Sequence, residues 1–344
     1  MDLLNYDQVL DKLPETKHLL LGNGFSISCD PVFSYPNLFD YVKKAGISQE
    51  AAKVFEYLGT NNFEGVMHLL ENSDWVRRRY KLQYKKGSKA SIKKDLGAIK
   101  SALVQAIAES HLAHPGKIDN KRKDGCVKFL EPYHNIFTTN YDLLLYWVAM
   151  YGNVTLQEHD GFRSSIDDPE AEYLVFQERL GQHKGILFLH GALHIYIEDG
   201  ELRKHSWVRS SKTLMELVRS GLAKGQYPLF VAEGKPEKKL EQMQNNGYLF
   251  YCLGKLEKIK QSLVIYGFSL GGSDTHIAHA IADNSMLEHI YISIHGDSVS
   301  RHNKCIEQSA AAMQARRKKR LEKTRGGKEL FVHYFDASTV KIWG

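Results

Sequence analysis

Short apolar runs recur along the chain, and each gives way to small or polar residues. His18-Leu19-Leu20-Leu21 runs into Gly22-Asn23-Gly24, and Asn135-Ile136-Phe137 into Thr138-Thr139-Asn140. Ile186–Leu189 leads to His190-Gly191, Leu263–Tyr266 to Gly267-Phe268-Ser269, Ile290–Ile294 to His295-Gly296, and Leu330–Phe335 to Asp336. Runs this short and this continuously apolar predict strands buried on both faces, as in a parallel sheet. Helical spacing falls between them. Phe63, Val66, Met67 and Leu70 stand at i, i+3, i+4, i+7, and Ile99, Leu103 and Ile107 step by four. Thr139 or Asn140 reads as the cap of a helix over Tyr141–Met150, and Ser273 as the cap of one over Asp274–Ala282. Strands alternating with helices predict an α/β fold with a Rossmann-like, mostly parallel sheet.

One interval departs from that alternation. From residue 37 to about 130 the pattern is mainly helical, and no strand is expected before Ile136. A plain dinucleotide-binding unit would place its second strand within about 30 residues of the first. The reading is therefore a large helical insertion after the first strand. Residues 151–250 scatter proline, glycine and charge and are expected to form irregular and helical elaborations. The whole, 1–344, is read as a single domain.

Composition narrows the class. The 344 residues are 43% hydrophobic and 25% charged, a globular balance. The opening MDLLNYDQVLDKLPETKHLL lacks the basic start and apolar run of a secretory leader. The longest apolar run, Leu143–Met150, is too short to span a bilayer. A cytoplasmic protein without a membrane partner is expected. Cys29, Cys126, Cys252 and Cys305 are far apart, with no CxxC pair, and are read as free thiols rather than zinc ligands or disulfides. The formal net charge of +6 is unevenly spread. Residues 77–94 hold Arg77, Arg78, Arg79, Lys81, Lys85, Lys86, Lys89, Lys93 and Lys94, and residues 316–320 read RRKKR. Either stretch is a solvated face or a docking surface for nucleic acid or an acidic partner.

Ligands of open parallel sheets bind beyond the carboxyl ends of the strands, where the polar motifs of this chain gather. In GNGFS (22–26), Gly22 and Gly24 would let a phosphate approach the backbone, and Ser26 would cap the turn or bind that phosphate. In TTNYD (138–142), Asn140 offers a donor and an acceptor and Asp142 a carboxylate. In FLHGALH (188–194), His190 ends a strand as a general base or a hydroxyl ligand. Gly191 breaks any helix there, so His190 and His194 are not read as a zinc pair. In YGFSLGGSDTHI (266–277), Gly267 and Ser269 stand at a strand end. Asp274 opens a helix, either beside an anion site or as a simple first-turn acid. Each motif alone reads equally well as an ordinary turn, cap or core residue.

Taken in order, GNGFS, TTNYD, LHG and YGFSL resemble the sirtuin-like NAD-consuming enzymes, most closely the prokaryotic branch linked to antiviral and abortive-infection defence, which includes a domain-of-unknown-function family. The resemblance covers Gly22 to about His295. It implies that Gly22, Asn23, Gly24, Phe25 and Ser26 form the loop holding the NAD pyrophosphate. Asn140 would lie by the nicotinamide ribose, with Thr139 beside it, and Asp142 would bind nicotinamide or support the loop. His190 would engage ribose hydroxyls, and Gly267, Ser269 and Asp274 would complete the cofactor site. The four-cysteine zinc module of deacylating sirtuins is missing, as is any signature of an acyl-lysine groove. The expectation is therefore an NAD glycohydrolase that needs no metal and depletes NAD in antiphage defence. A homo-oligomer or a separately encoded sensor would control it. ADP-ribosyl transfer, deacylation and non-catalytic nucleotide sensing are the alternatives.

Overall fold

The computed structural model describes residues 2–34, 42, 47–59, 63–84, 91–153, 159–178, 184–206, 210–224, 226–231, 235–324 and 326–344. β1 (Leu3–Leu4) and α1 (Tyr6–Lys12) precede β2 (Lys17–Leu21), which leads into α2 (Asn23–Cys29). The chain then leaves the sheet through α3 (Gln49–Leu58), α4 (Phe63–Arg79), α5 (Ile92–Ser110) and α6 (Asn120–Leu130). It returns as β3 (Asn135–Thr138), followed by α7 (Leu144–Tyr151), β4 (Phe162–Ser164), β5 (Tyr173–Phe176) and β6 (Gly185–Phe188). Next come β7 (Gly191–Glu198), β8 (Glu201–His205), α8 (Leu214–Ala223) and β9 (Pro228–Phe230). The last third runs α9 (Pro236–Gln244), α10 (Gly247–Leu256), β10 (Gln261–Tyr266), α11 (Thr275–Asp283), β11 (Leu287–Ile294), α12 (Arg301–Leu321) and β12 (Phe331–Asp336).

Among the described residues, the main sheet has the order β1-β12-β11-β10-β2-β3-β6, with every neighbouring pair parallel. Its register sets Ile292, Ile265, Leu20, Phe137 and Leu187 in one row across five strands. The side chains of β2, β3, β6 and β10 are almost wholly buried, which is why these strands read as unbroken apolar runs rather than alternating ones. The fold is α/β and Rossmann-like. From β2 the chain steps outward to β3 and β6, then crosses back to β10 on the other side of β2. Strand order therefore reverses between β2 and β10, the position where such sheets hold ligands.

The helical insertion stands where the apolar spacing puts it, between β2 and β3. Three of its helices start at side-chain caps: Ser48 for α3, Ser91 for α5 and Asp119 for α6. Part of it, including Lys85, Lys86 and Lys89 of the basic stretch, lies outside the described residues. Within that stretch Arg77 and Arg78 both pair with Asp74, so two of its cations are engaged on their own helix.

Residues 151–250 depart from expectation. They carry an antiparallel sheet of order β4-β5-β8-β7-β9 beside the helices α8 and α9. Some of its strands mix charge with apolar residues, as in Phe162–Ser164 and Glu201–His205, and these are only partly buried. That mixture hides the period a sequence reading depends on. Gly191 joins the two sheets. It has φ +83°, and a Cβ there would lie 2.1 Å from the carbonyl oxygen of Leu229, so no other residue fits between β7 and β9.

Candidate functional site

β2, β3, β6 and β10 end on the same edge of the main sheet, and their polar motifs fall into two groups. The first joins GNGFS to TTNYD. The Asn140 side chain donates from Nδ2 to the Gly22 carbonyl at 3.0 Å and to Ser26 Oγ at 2.8 Å. Ser26 Oγ donates in turn to Asp142 Oδ2 at 2.5 Å. The other carboxylate oxygen of Asp142 accepts the Leu144 N–H at 2.9 Å, and the Asn140 N–H is held by Thr138 Oγ1. All three side chains are buried. Burial raises the Asp142 pKa, while the bonds from Ser26 and Leu144 act the other way.

This arrangement corrects the expected cap. The helix begins at Leu144, not Tyr141, and neither Thr139 nor Asn140 caps it. Asp142 closes a turn onto Leu144, and Asn140 ties its strand end to a different segment, 118 residues earlier. A residue not singled out in the sequence, His111, completes the turn. Its Nε2 accepts the Leu143 N–H at 2.9 Å and its Nδ1 donates to the Leu112 carbonyl at 2.9 Å. That pairing sets the neutral Nδ1–H tautomer, and burial lowers its pKa to about 4. The C-terminal end of α5 is thereby fastened to the TTNYD turn.

The glycines of the first loop act differently from expectation. The Gly22 N–H donates to Tyr266 O and the Gly24 N–H to Gly267 O, so both amides are engaged with the strand β10 and the turn that follows it. A Cβ on Gly22 would lie 2.5 Å from Gly267 O, and one on Gly24 2.6 Å from Gly267 Cα. A Cβ on Gly267, at φ +65°, would lie 2.7 Å from Gly24 Cα. The three glycines interlock two backbones across the point where strand order reverses. Phe25 is buried against the Trp343 ring, Asn23 Nδ2 donates to Phe33 O, Thr139 is half-buried and Ser269 is exposed.

The second group centres on His190, at the end of β6. Its Nε2 lies 3.0 Å from Nε2 of His276 and 3.9 Å from Asp274 Oδ1. The fully buried Lys239, from α9, donates to the same Asp274 oxygen at 2.9 Å. Burial holds the His190 pKa well below the ordinary histidine value, and the Lys239 and His276 charges add to that. Asp274 ends a 3-10 turn (Gly272–Asp274) that precedes α11, so Ser273 does not cap a helix over 274–282 as expected. Tyr141 links the groups: its ring lies 6.4 Å from that of His190, and its hydroxyl donates to Val231 O. His194, four residues further along β7, is enclosed by the rings of Tyr146 and Phe188 in the core.

Residues 19–343 match a domain of unknown function, DUF4917. The chain belongs to the DUF4917 family. No curated protein matches it. In this member of the DUF4917 family, the ligand atoms of His190, His276 and Asp274 lie within 4.8 Å of one another, a spacing that one metal ion could bridge. The Lys239 ammonium already sets a full positive charge against that carboxylate, and a dication would be a second in the same buried space. Lys239 and His276 went unnoticed in the sequence. Lys239 sits in the charged run EKKLE and His276 follows a turn, and neither context marks burial.

Proposed function

We propose that this protein is an NAD glycohydrolase of sirtuin-like type, serving as an NAD-depleting effector in antiphage defence. The observation that supports it best is the Ser26–Asn140–Asp142 hydrogen-bonded group at the ends of β2 and β3, with His190 at the next strand end. Both hydrogens of the Asn140 amide are engaged, so its Oδ1 is the atom available to accept from a ribose hydroxyl or a water. In the reaction the bond from ribose C1′ to the nicotinamide nitrogen breaks, and its electron pair neutralises the pyridinium. Water adds to the oxocarbenium-like carbon and loses a proton, giving ADP-ribose and nicotinamide. Asn140 Oδ1 would align the water or the sugar, and His190 would take the hydrogen bond of a hydroxyl. NAD is the substrate.

The test is nicotinamide release from NAD by the purified protein, and NAD content in cells expressing it, with Asn140→Ala and His190→Ala alongside. Loss of release in both variants is expected. Equal release by wild type and variants would remove the site from the reaction. A second reading, non-catalytic nucleotide sensing, draws on one observation. Asn140, Ser26 and Asp142 bond chiefly to one another, as a structural fastening would. It predicts NAD binding in calorimetry, with no turnover in cells before or after phage challenge.

A further inference from the structure

His190 meets another imidazole. Its Nε2 and that of His276 are 3.0 Å apart, a hydrogen bond in which one nitrogen must carry the proton and the other must not. Charged or titratable groups reach His190 from three described segments. His276 and Asp274 come from α11 and the turn before it, Lys239 from α9, and Tyr141 from the turn after β3. The Asp274 carboxylate lies 3.9 Å from His190 Nε2, so the positive end of an N–H at that nitrogen faces a negative charge. A bare lone pair there would face it unfavourably. Lys239 holds the carboxylate in place through a bond of 2.9 Å to the same oxygen and is itself fully buried, so neither charge swings away.

We propose that Asp274, held by Lys239, fixes the proton of His190 on Nε2, where His276 accepts it, leaving Nδ1 as the acceptor nitrogen of the His190 ring. His276, Asp274 and Lys239 are then positioning residues. Hydrogen-bonded and charged partners of this kind select one tautomer and one ring orientation. The catalytic consequence rests on the NAD reading: Nδ1 accepts from the sugar hydroxyl or the attacking water. The tautomer itself does not rest on that reading.

The test is a long-range proton–nitrogen correlation spectrum of the protein carrying ¹⁵N-labelled histidine, assigned with His190→Gln and His276→Gln. His190 is expected as the Nε2–H tautomer and His276 with a bare Nε2. A His190 protonated on Nδ1 overturns the proposal. Asp274→Asn removes the carboxylate charge that faces the buried Lys239 and risks unfolding, so the double variant Lys239→Met/Asp274→Leu removes both charges together. Its His190 is expected as a mixture of tautomers, and a His190 still wholly Nε2–H overturns the role of Asp274. Stoichiometric uptake of Zn²⁺ that shifts both Nε2 signals also overturns it, since a metal needs both lone pairs. With NAD, His276→Ala is expected to lower kcat by about 10²-fold with little change in KM, in keeping with loss of general-base alignment. The expected tautomers without NAD cleavage would refute the proposed function and leave this inference standing. Cleavage with the opposite tautomer would do the reverse.

Discussion

The hydroxyl of Ser26 is buried between two partners, accepting from Asn140 and donating to Asp142. Removing it leaves a buried carboxylate oxygen without that donor. Ser26→Ala is expected to cost about 1–3 kcal/mol in urea denaturation, whereas Ser269→Ala, at an exposed position, should stay within about 0.5 kcal/mol. His111 makes a prediction in pH. Its pKa in the folded chain is lowered to about 4, below the value of about 6.5 for a free histidine. The unfolded chain thus binds a proton that the folded chain refuses. The stability that depends on neutral His111 is complete above about pH 6.5 and is lost as pH falls toward 4. At pH 5 the loss from this residue amounts to about 2 kcal/mol. Denaturation midpoints at pH 7 and pH 5 check it: His111→Gln should show a shallower decline than the parent. Asn140, Asp142 and His190 were legible as candidates because each ends an apolar run. The bonds that tie these turns together, Ser26 to Asp142, His111 to Leu143, His276 to His190 and Lys239 to Asp274, span 32 to 116 residues of chain, and no local pattern encodes those pairings.

At the scale of elements, the contact between the turns after β2 and β10 is made by glycines at van der Waals distance. Gly267→Ala would press a methyl group onto Gly24 Cα and force an L side chain into φ +65°. A loss of more than about 2 kcal/mol is expected, read by urea denaturation. Gly97, within α5, has open space around its Cα. Gly97→Ala should therefore stabilise the protein by about 0.4–1 kcal/mol, read as a higher melting temperature. The two glycines look alike in a sequence. Only the element each faces gives opposite signs to the same substitution. For the same reason GNGFS, read as a phosphate cradle, turns out to spend its Gly22 and Gly24 amides on a neighbouring strand and the turn after it.

Across the whole molecule, the stretch RRKKR carries a tie rather than a uniformly solvated face. Arg316 pairs with Asp283, while Arg317 is fully buried and donates to the carbonyls of Ile281, Ala282, Asn284, Leu287 and Lys328. It fastens the end of α11, the start of β11 and the approach to β12 with one side chain. A lysine ammonium has three donors and lacks the planar fork. Arg317→Lys is expected to cost about 3 kcal/mol or more, and Lys319→Ala, exposed on the same helix, close to nothing; thermal denaturation of both checks the contrast. Sequence alone sufficed for the class of fold, the order of the main strands along the chain and the helical insertion. Continuous apolar runs and helical spacing are local consequences of burial, and they leave a mark on neighbouring residues. The second sheet left a weaker mark, because strands such as β4, β5 and β8 are short and only partly covered. Pairings across the sheet edge are set by tertiary structure: which glycine meets which backbone, which histidine meets His190, which arginine is buried. They depend on polar atoms distant in sequence being brought to 3.0 Å of one another, and a hydrogen bond at that range is decided by the fold as a whole.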